Sequence, residues 1–120
     1  MGHTVLIVDD HAEFRASARA MLEAAGFDVV GDATSGAEAL AQAERLEPAL
    51  VLLDIKLPDL DAISVAEQLA ALSRPPDVVL TSTRDAAAYG PRLRSAPARG
   101  FLAQAELSGP SLARLLTYPP

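Results

Sequence analysis

Short runs of Val, Leu and Ile punctuate this chain at intervals: Val5–Val8, Val29–Val30, Leu50–Leu53, Val78–Leu80 and a briefer Phe101–Leu102. None shows the apolar–polar alternation of a strand with one wet face, so each suits a strand covered on both sides. The segments between them carry helical spacing instead. Phe14, Ala18, Met21, Leu22 and Ala25 fall on one face of the first, while Glu13, Arg15, Arg19 and Glu23 lie mostly outside it. Gly26 is placed to stop that helix. Ser35 and Glu38 have capping-box spacing for a second helix, which runs to about Leu46 before Pro48. A third is expected from about Ala62 to Leu72, with "SRPPD" ending it. Asp59 and Asp61 are read as the turn and cap around Pro58. The stretch "DAAAYGPRLRSAP" predicts a short fourth helix broken near Gly90 and Pro91, and Pro110 suits the first turn of a last helix reaching about Thr117.

Five strand–helix units in succession imply an α/β fold: a parallel sheet with right-handed crossovers and helices on both faces. A length of 120 residues accommodates this as one domain, expected over 1–120 with no linker or output domain in the chain. The formal net charge of −6 argues against the chain gripping nucleic acid by itself. No apolar run approaches the ~18 residues that span a bilayer, and the N-terminus lacks the basic-then-apolar pattern of a secretory signal. A cytoplasmic location without membrane contact is therefore expected. With no cysteine, thiolate metal sites, disulfides and cysteine nucleophiles are excluded.

In sheets of this kind ligands bind beyond the carboxyl ends of the strands. The first strand ends in Asp9 and Asp10, the third in Asp54, the fourth in Thr81, Ser82 and Thr83, and the fifth near Gln104. Carboxylates from two strand ends would converge at one edge, where like charges raise one another's pKa and cost free energy. A hard divalent cation resolves this, and Mg²⁺ favours carboxylate oxygens with retained waters. The plainer reading makes Asp9 and Asp10 a turn or helix cap, as aspartate often is; a third aspartate after a matching apolar run weighs against it. With a metal and a hydroxyl residue beside it, Asp54 could attack phosphorus in line while the metal offsets the developing charge. A strand-four hydroxyl would then hydrogen-bond a phosphoryl oxygen, or simply cap the next helix. His11 follows the acid pair and reads as an exposed first-turn residue. Gly31 and Gly36 make no nucleotide fingerprint.

Taken in order, "VLIVDDH", "LVLLDIKLPDLDAISVAEQL", "VVLTS" and "ARGFLAQAEL" resemble the receiver domains of two-component response regulators, over essentially the whole chain. The subgroup most resembled is often linked to helix-turn-helix output domains. The resemblance implies a flavodoxin-like (CheY-like) doubly wound sheet of five parallel strands in order 2-1-3-4-5, with five helices. It assigns Asp54 as phosphoacceptor, and Asp9 and Asp10 as the acidic pair at Mg²⁺, with the Lys56 backbone carbonyl completing the protein ligands. Counting back from the fifth strand selects Ser82 as the switch hydroxyl, with Thr81 as the alternative, and Phe101 matches the switch aromatic. The implied partners are a histidine kinase or phosphotransfer protein. Output would pass through the face of helix four, strand five and helix five, which also offers a homodimer contact.

Two positions depart from that pattern. Gln104 stands where the family carries a lysine, so a hydrogen-bond donor remains but its charge is lost. Ala62 stands where many relatives have glycine. Lys56 (the only lysine) and Arg84 lie two residues past Asp54 and Ser82 and read as solvated surface cations. Three functions compete on these features. The leading one is a phosphorylation-controlled switch, not a turnover enzyme, that catalyses at most its own phosphorylation and dephosphorylation. A phosphorylation-independent pseudo-receiver, an interaction module, is favoured by Gln104 and opposed by the intact aspartates and Ser82. A magnesium phosphohydrolase using Asp54 as nucleophile would want a second aspartate two residues on, where Lys56 stands.

Overall fold

A computed structural model describes residues 3–82 and 95–117. Its strands are β1 (Thr4–Val8), β2 (Asp28–Ala33), β3 (Leu50–Asp54), β4 (Asp77–Ser82) and β5 (Gly100–Ala103). Its helices are α1 (Ala12–Ala24), α2 (Gly36–Leu46), α3 (Ala62–Ala70) and α4 (Gly109–Thr117), with a 3₁₀ turn over Gln104–Glu106 before α4. All strands are parallel, in order β2-β1-β3-β4-β5, as expected for the flavodoxin-like fold. The expected fourth helix, with Arg84, Gly90 and Pro91, lies outside the described residues.

The central strands are apolar throughout because each side chain, whichever way it points, meets a packed layer. Leu6, Val8, Val51, Leu53, Val78 and Leu80 face α2 and α3, burying against Ala39, Ala43, Val65 and Leu69. Their strand neighbours Val5, Ile7, Leu50, Leu52 and Val79 face the other way, toward Ala18 and Leu22 of α1 and Leu112 of α4. Fully burying one such aliphatic side chain is worth roughly 1.5–3 kcal/mol. This two-sided burial makes register decisive, since a one-residue slip would reverse every side chain.

The connections follow local chemistry. Past α1, Gly26 adopts φ 95°, a left-handed conformation that glycine reaches without the Cβ penalty. Ser35 caps α2 by accepting from the Glu38 N–H at 3.2 Å, as its spacing predicts. Glu38 returns to the Thr34 N–H at 2.7 Å, one residue before the cap. Asp59 lies in the bend after Pro58, as expected, and does more than shape that turn. Its carboxylate accepts from the Gly36 and Ala37 N–H groups at 2.8 and 3.1 Å, so it caps α2 from the loop after β3. That loop approaches so closely that a Cβ on Gly36 would sit 2.9 Å from the Leu60 Cβ. Asp61 takes the N-cap position of α3. Ser108 and Ser111 cap α4 reciprocally, each backbone N–H donating to the other's hydroxyl at 2.9 and 3.1 Å. No helix among the described residues is long and apolar enough to cross a membrane.

Candidate phosphoryl and metal site

The strand faces carry directly into the site. Asp9 continues the alternation of Val5 and Ile7, and Asp54 that of Leu50 and Leu52, so both carboxylates stand on the α1/α4 side of the sheet. Both are buried, Asp9 with 0% and Asp54 with 4% of its surface exposed. The β1 ladder extends through the Asp9 N–H to the Ala33 carbonyl at 3.0 Å, which anchors Asp9 as rigidly as a strand residue.

Asp9 is the hub. Its Oδ1 accepts from the His11 N–H at 2.7 Å, and its Oδ2 accepts from the Gln104 amide Nε2 at 3.0 Å. Its main-chain oxygen accepts from Arg15 Nη1 at 2.8 Å, while Arg15 Nε lies 3.6 Å from the Asp32 carboxylate. The arginine therefore serves the back of the site rather than its carboxylates. His11 occupies the N-cap position of α1 but makes no side-chain cap. Its ring turns inward, with Nδ1 3.1 Å from Asp9 Oδ1 and 3.0 Å from Asp10 Oδ1. The hydrogen bond to Asp9, then the charges of Asp10 and Asp9, push the imidazole pKa up from its ordinary value.

Burial first, and then the charge of Asp9, push the Asp54 carboxyl up from 3.8 to about 7, against a partial offset from the Lys56 N–H it accepts. That N–H lies 3.2 Å from Asp54 Oδ1, which brings the Lys56 backbone to the site while its side chain stays exposed. Across the sheet, Asp54 is paired in register with Thr81. Thr81 alternates with Val79 and so shares the Asp54 side, whereas Ser82 alternates with Leu80 on the α2/α3 side. Both hydroxyl residues are buried. Thr81 Oγ1 has no hydrogen-bond partner among the described residues, a costly state for a buried hydroxyl. Phe101 packs partly buried on the α2/α3 side.

Asp9, Asp10, Asp54 and His11 can each offer one ligand atom such that all lie within 4.8 Å of one another. Carboxylate oxygens converging from two strand ends fit a hard dication such as Mg²⁺ on chemistry and spacing alike. The structure brings the aspartates together as the sequence reading expected, and His11 is exposed at the start of α1 as read; that its ring also contacts Asp9 and Asp10 is what a one-residue offset could not tell. Gln104, the hydrogen-bond donor at the position where the family carries a lysine, has its amide on Asp9.

Comparison with known proteins agrees with this geometry. Residues 5–107 match the family described as response regulator receiver domain. A putative transcriptional regulator of Pseudomonas aeruginosa is 39% identical over 102 residues, covering 85% of this chain and 49% of its own length. The transcriptional regulatory protein PdtaR of Mycobacterium tuberculosis is 40% identical over 100 residues, covering 82% and 47%. The chain thus spans about half the length of these curated relatives. Among solved structures, the signal receiver domain of the putative response regulator NarL from Mycobacterium tuberculosis superposes with TM-score 0.83 at 30% identity, covering 98% of each chain. The response regulator domain of Thermotoga maritima CheB gives 0.82 at 25% identity, covering 99% of this chain and 100% of that one.

Proposed function

The chain belongs to the response regulator receiver domains of two-component systems, and on that premise we propose that it is switched by a phosphoryl group carried on Asp54. The observation that carries this is the burial of Asp54 at a strand end, beside a second buried carboxylate and in register with a buried threonine whose hydroxyl has no partner among the described residues. An Asp54 carboxylate oxygen forms a bond to phosphorus as the N–P bond of a donor phosphohistidine breaks. The electron pair stays on the departing imidazole nitrogen, which takes a proton from water. Later attack by water on the acyl phosphate returns Asp54 and inorganic phosphate, so the domain resets without being a turnover enzyme.

Asp9, Asp10, Asp54 and the Lys56 carbonyl would hold Mg²⁺, which supplies charge neutralisation at the phosphoryl oxygens. Asp54 must be ionised to attack, and a positive charge in the pocket favours that form. Between the two strand-four hydroxyls, we assign the phosphoryl contact to Thr81. Counting from the fifth strand selects Ser82, whereas the register of Thr81 with Asp54 and its hydroxyl, unpartnered among the described residues, favour Thr81. Gln104 orients Asp9 and brings no cation, so the phosphoryl group loses a contact that charge would make about twice as strong. The donor is a histidine kinase or phosphotransfer protein in the cytoplasm. Because the relatives are named as transcriptional regulators, the output is a change of protein contacts passed to a transcription-regulating module, with Phe101 on the responding face.

Gln104 also supports a second reading, a module that works through protein contact without phosphate. Intact-mass spectrometry after incubation with a small-molecule phosphodonor and Mg²⁺ separates the two. A Mg²⁺-dependent gain of one phosphoryl group, absent in Asp54→Ala, establishes the switch. No adduct in the folded protein, with either small donors or candidate kinases, establishes the second reading.

A further inference from the structure

We infer that His11 converts the acidic pocket into a site that selects borderline dications, Mn²⁺, Co²⁺ and Zn²⁺, over Mg²⁺ by adding an imidazole ligand that Mg²⁺ does not use. The inference rests on the acidic pocket being a cation site and goes beyond it in naming which cations the pocket prefers and why.

The distances carry the geometry. Ligands on adjacent corners of an octahedral ion at about 2.1 Å are roughly 3.0 Å apart, and those across it about 4.2 Å. His11 Nδ1 lies 3.1 Å from Asp9 Oδ1 and 3.0 Å from Asp10 Oδ1, the spacing of adjacent corners. The full set with Asp54 fits within 4.8 Å, about 0.6 Å beyond opposite corners, a gap that movement of the exposed side chains would close. An ion entering the pocket thus meets nitrogen and oxygen donors at once.

The His11 main chain is held beside the site. The His11 N–H is bonded to Asp9 Oδ1 at 2.7 Å, so its main chain is tied to the carboxylate the ion would share. The Gln104 amide fixes the other Asp9 oxygen at 3.0 Å, which sets the plane of that carboxylate. With 70% of its side chain exposed, His11 adjusts its ring without disturbing the core. Protein atoms do not complete the pocket either, since Thr81 Oγ1 beside Asp54 is buried without a partner among the described residues.

Ligand chemistry then fixes the selectivity. Mg²⁺ takes oxygen and keeps its waters, whereas imidazole nitrogen suits Co²⁺ and Zn²⁺, and Mn²⁺ accepts both donors. An all-oxygen pocket follows carboxylate affinity alone; one imidazole raises the transition metals selectively.

The test is metal binding to the full chain, with the wild type, His11→Ala and His3→Ala compared. Co²⁺ and Zn²⁺ are titrated against a chromophoric chelator, and Mg²⁺ by displacement of Mn²⁺ followed by its electron paramagnetic resonance signal. His11→Ala should weaken Co²⁺ and Zn²⁺ about tenfold or more while leaving Mg²⁺ within about twofold, and His3→Ala should change neither. Pulsed resonance on wild-type protein with Mn²⁺ should show coupling to an imidazole nitrogen, a readout that needs no variant. Equal loss for all cations, no loss for any, or no nitrogen coupling overturns the inference. If Mg²⁺ itself fails to bind, the cation pocket falls; if Mg²⁺ binds and His11→Ala is silent, only the selectivity does.

Discussion

The two halves of the site are built on opposite terms. At the ends of β1 and β3, Asp9, Asp10 and Asp54 converge, and among the described residues the ionisable nitrogen lying against the Asp9 and Asp10 carboxylates is that of the His11 imidazole. At the ends of β4 and β5 stand a hydroxyl and an amide, Thr81 and Gln104, neither of which carries charge. The acidic half gathers like charges, and in the neutral half the Thr81 hydroxyl is left without a hydrogen-bond partner among the described residues while the Gln104 amide is spent on Asp9. Gathered like charge on one side and an unpartnered hydroxyl on the other are what a pocket for a cation and a phosphoryl group would present.

Removing charge from the acidic half is the largest lever on stability. The Asp54 pKa is raised from 3.8 to about 7, so between those values the folded protein holds a proton that the unfolded chain has released. Stability therefore falls as pH rises across that window, and above it the whole penalty is present. Asp54→Asn should stabilise the metal-free protein at pH 8 by roughly 2–4 kcal/mol and flatten the dependence between pH 4 and 7, as read by urea titration. Adding Mg²⁺ should narrow the gap by stabilising the wild type far more than the variant. A stability curve for the wild type that rises over the same window would break the comparison.

Supplying charge to the neutral half comes next. Gln104→Lys places an ammonium beside Asp9 and within the same pocket. A charge-assisted contact exceeds a neutral one by about 1 kcal/mol, so phosphorylation by a small donor should quicken about fivefold. Rates from intact-mass time courses check this, and an unchanged rate would mean that the amide already does all the position can do.

The two hydroxyls sharpen the comparison further. Thr81→Val removes an unpartnered buried hydroxyl at constant shape and should stabilise the unphosphorylated protein by about 1 kcal/mol in urea titration. The same variant should shorten the life of the phosphorylated form, whereas Ser82→Ala should leave that lifetime close to wild type. The reverse pattern would return the phosphoryl contact to Ser82.

The smallest effect belongs to a residue that supports the site from outside. Asp59 is exposed, and its carboxyl is held below its ordinary value by the Gly36 and Ala37 N–H groups at the start of α2. What it contributes is present at neutral pH and is lost as pH falls through the lowered pKa. Asp59→Asn should lower Tm by about one or two degrees at pH 7 and by less in acid, as a helix-cap loss would. Phosphorylation should be unaffected.

Local pattern alone determined much of this protein. Val5–Val8, Leu50–Leu53 and Val78–Leu80 announce strands buried on both faces, and the helical spacing between them dictates parallel pairing. The position of Asp9, Asp10 and Asp54 after those runs follows from the same reading, because a strand end is a local event. What tertiary structure decided is every choice between neighbours. Thr81 and Ser82 are one residue apart, and only the register of β4 against β3 says which shares a side with Asp54. Gln104 meets Asp9 across 95 positions of sequence, and Asp59 reaches α2 across 23. His11 turns toward the carboxylates because the Asp9 side chain already holds its backbone. Periodicity is written residue by residue and survives in one dimension; the side of a sheet and the partner of a side chain exist only once the layers have packed.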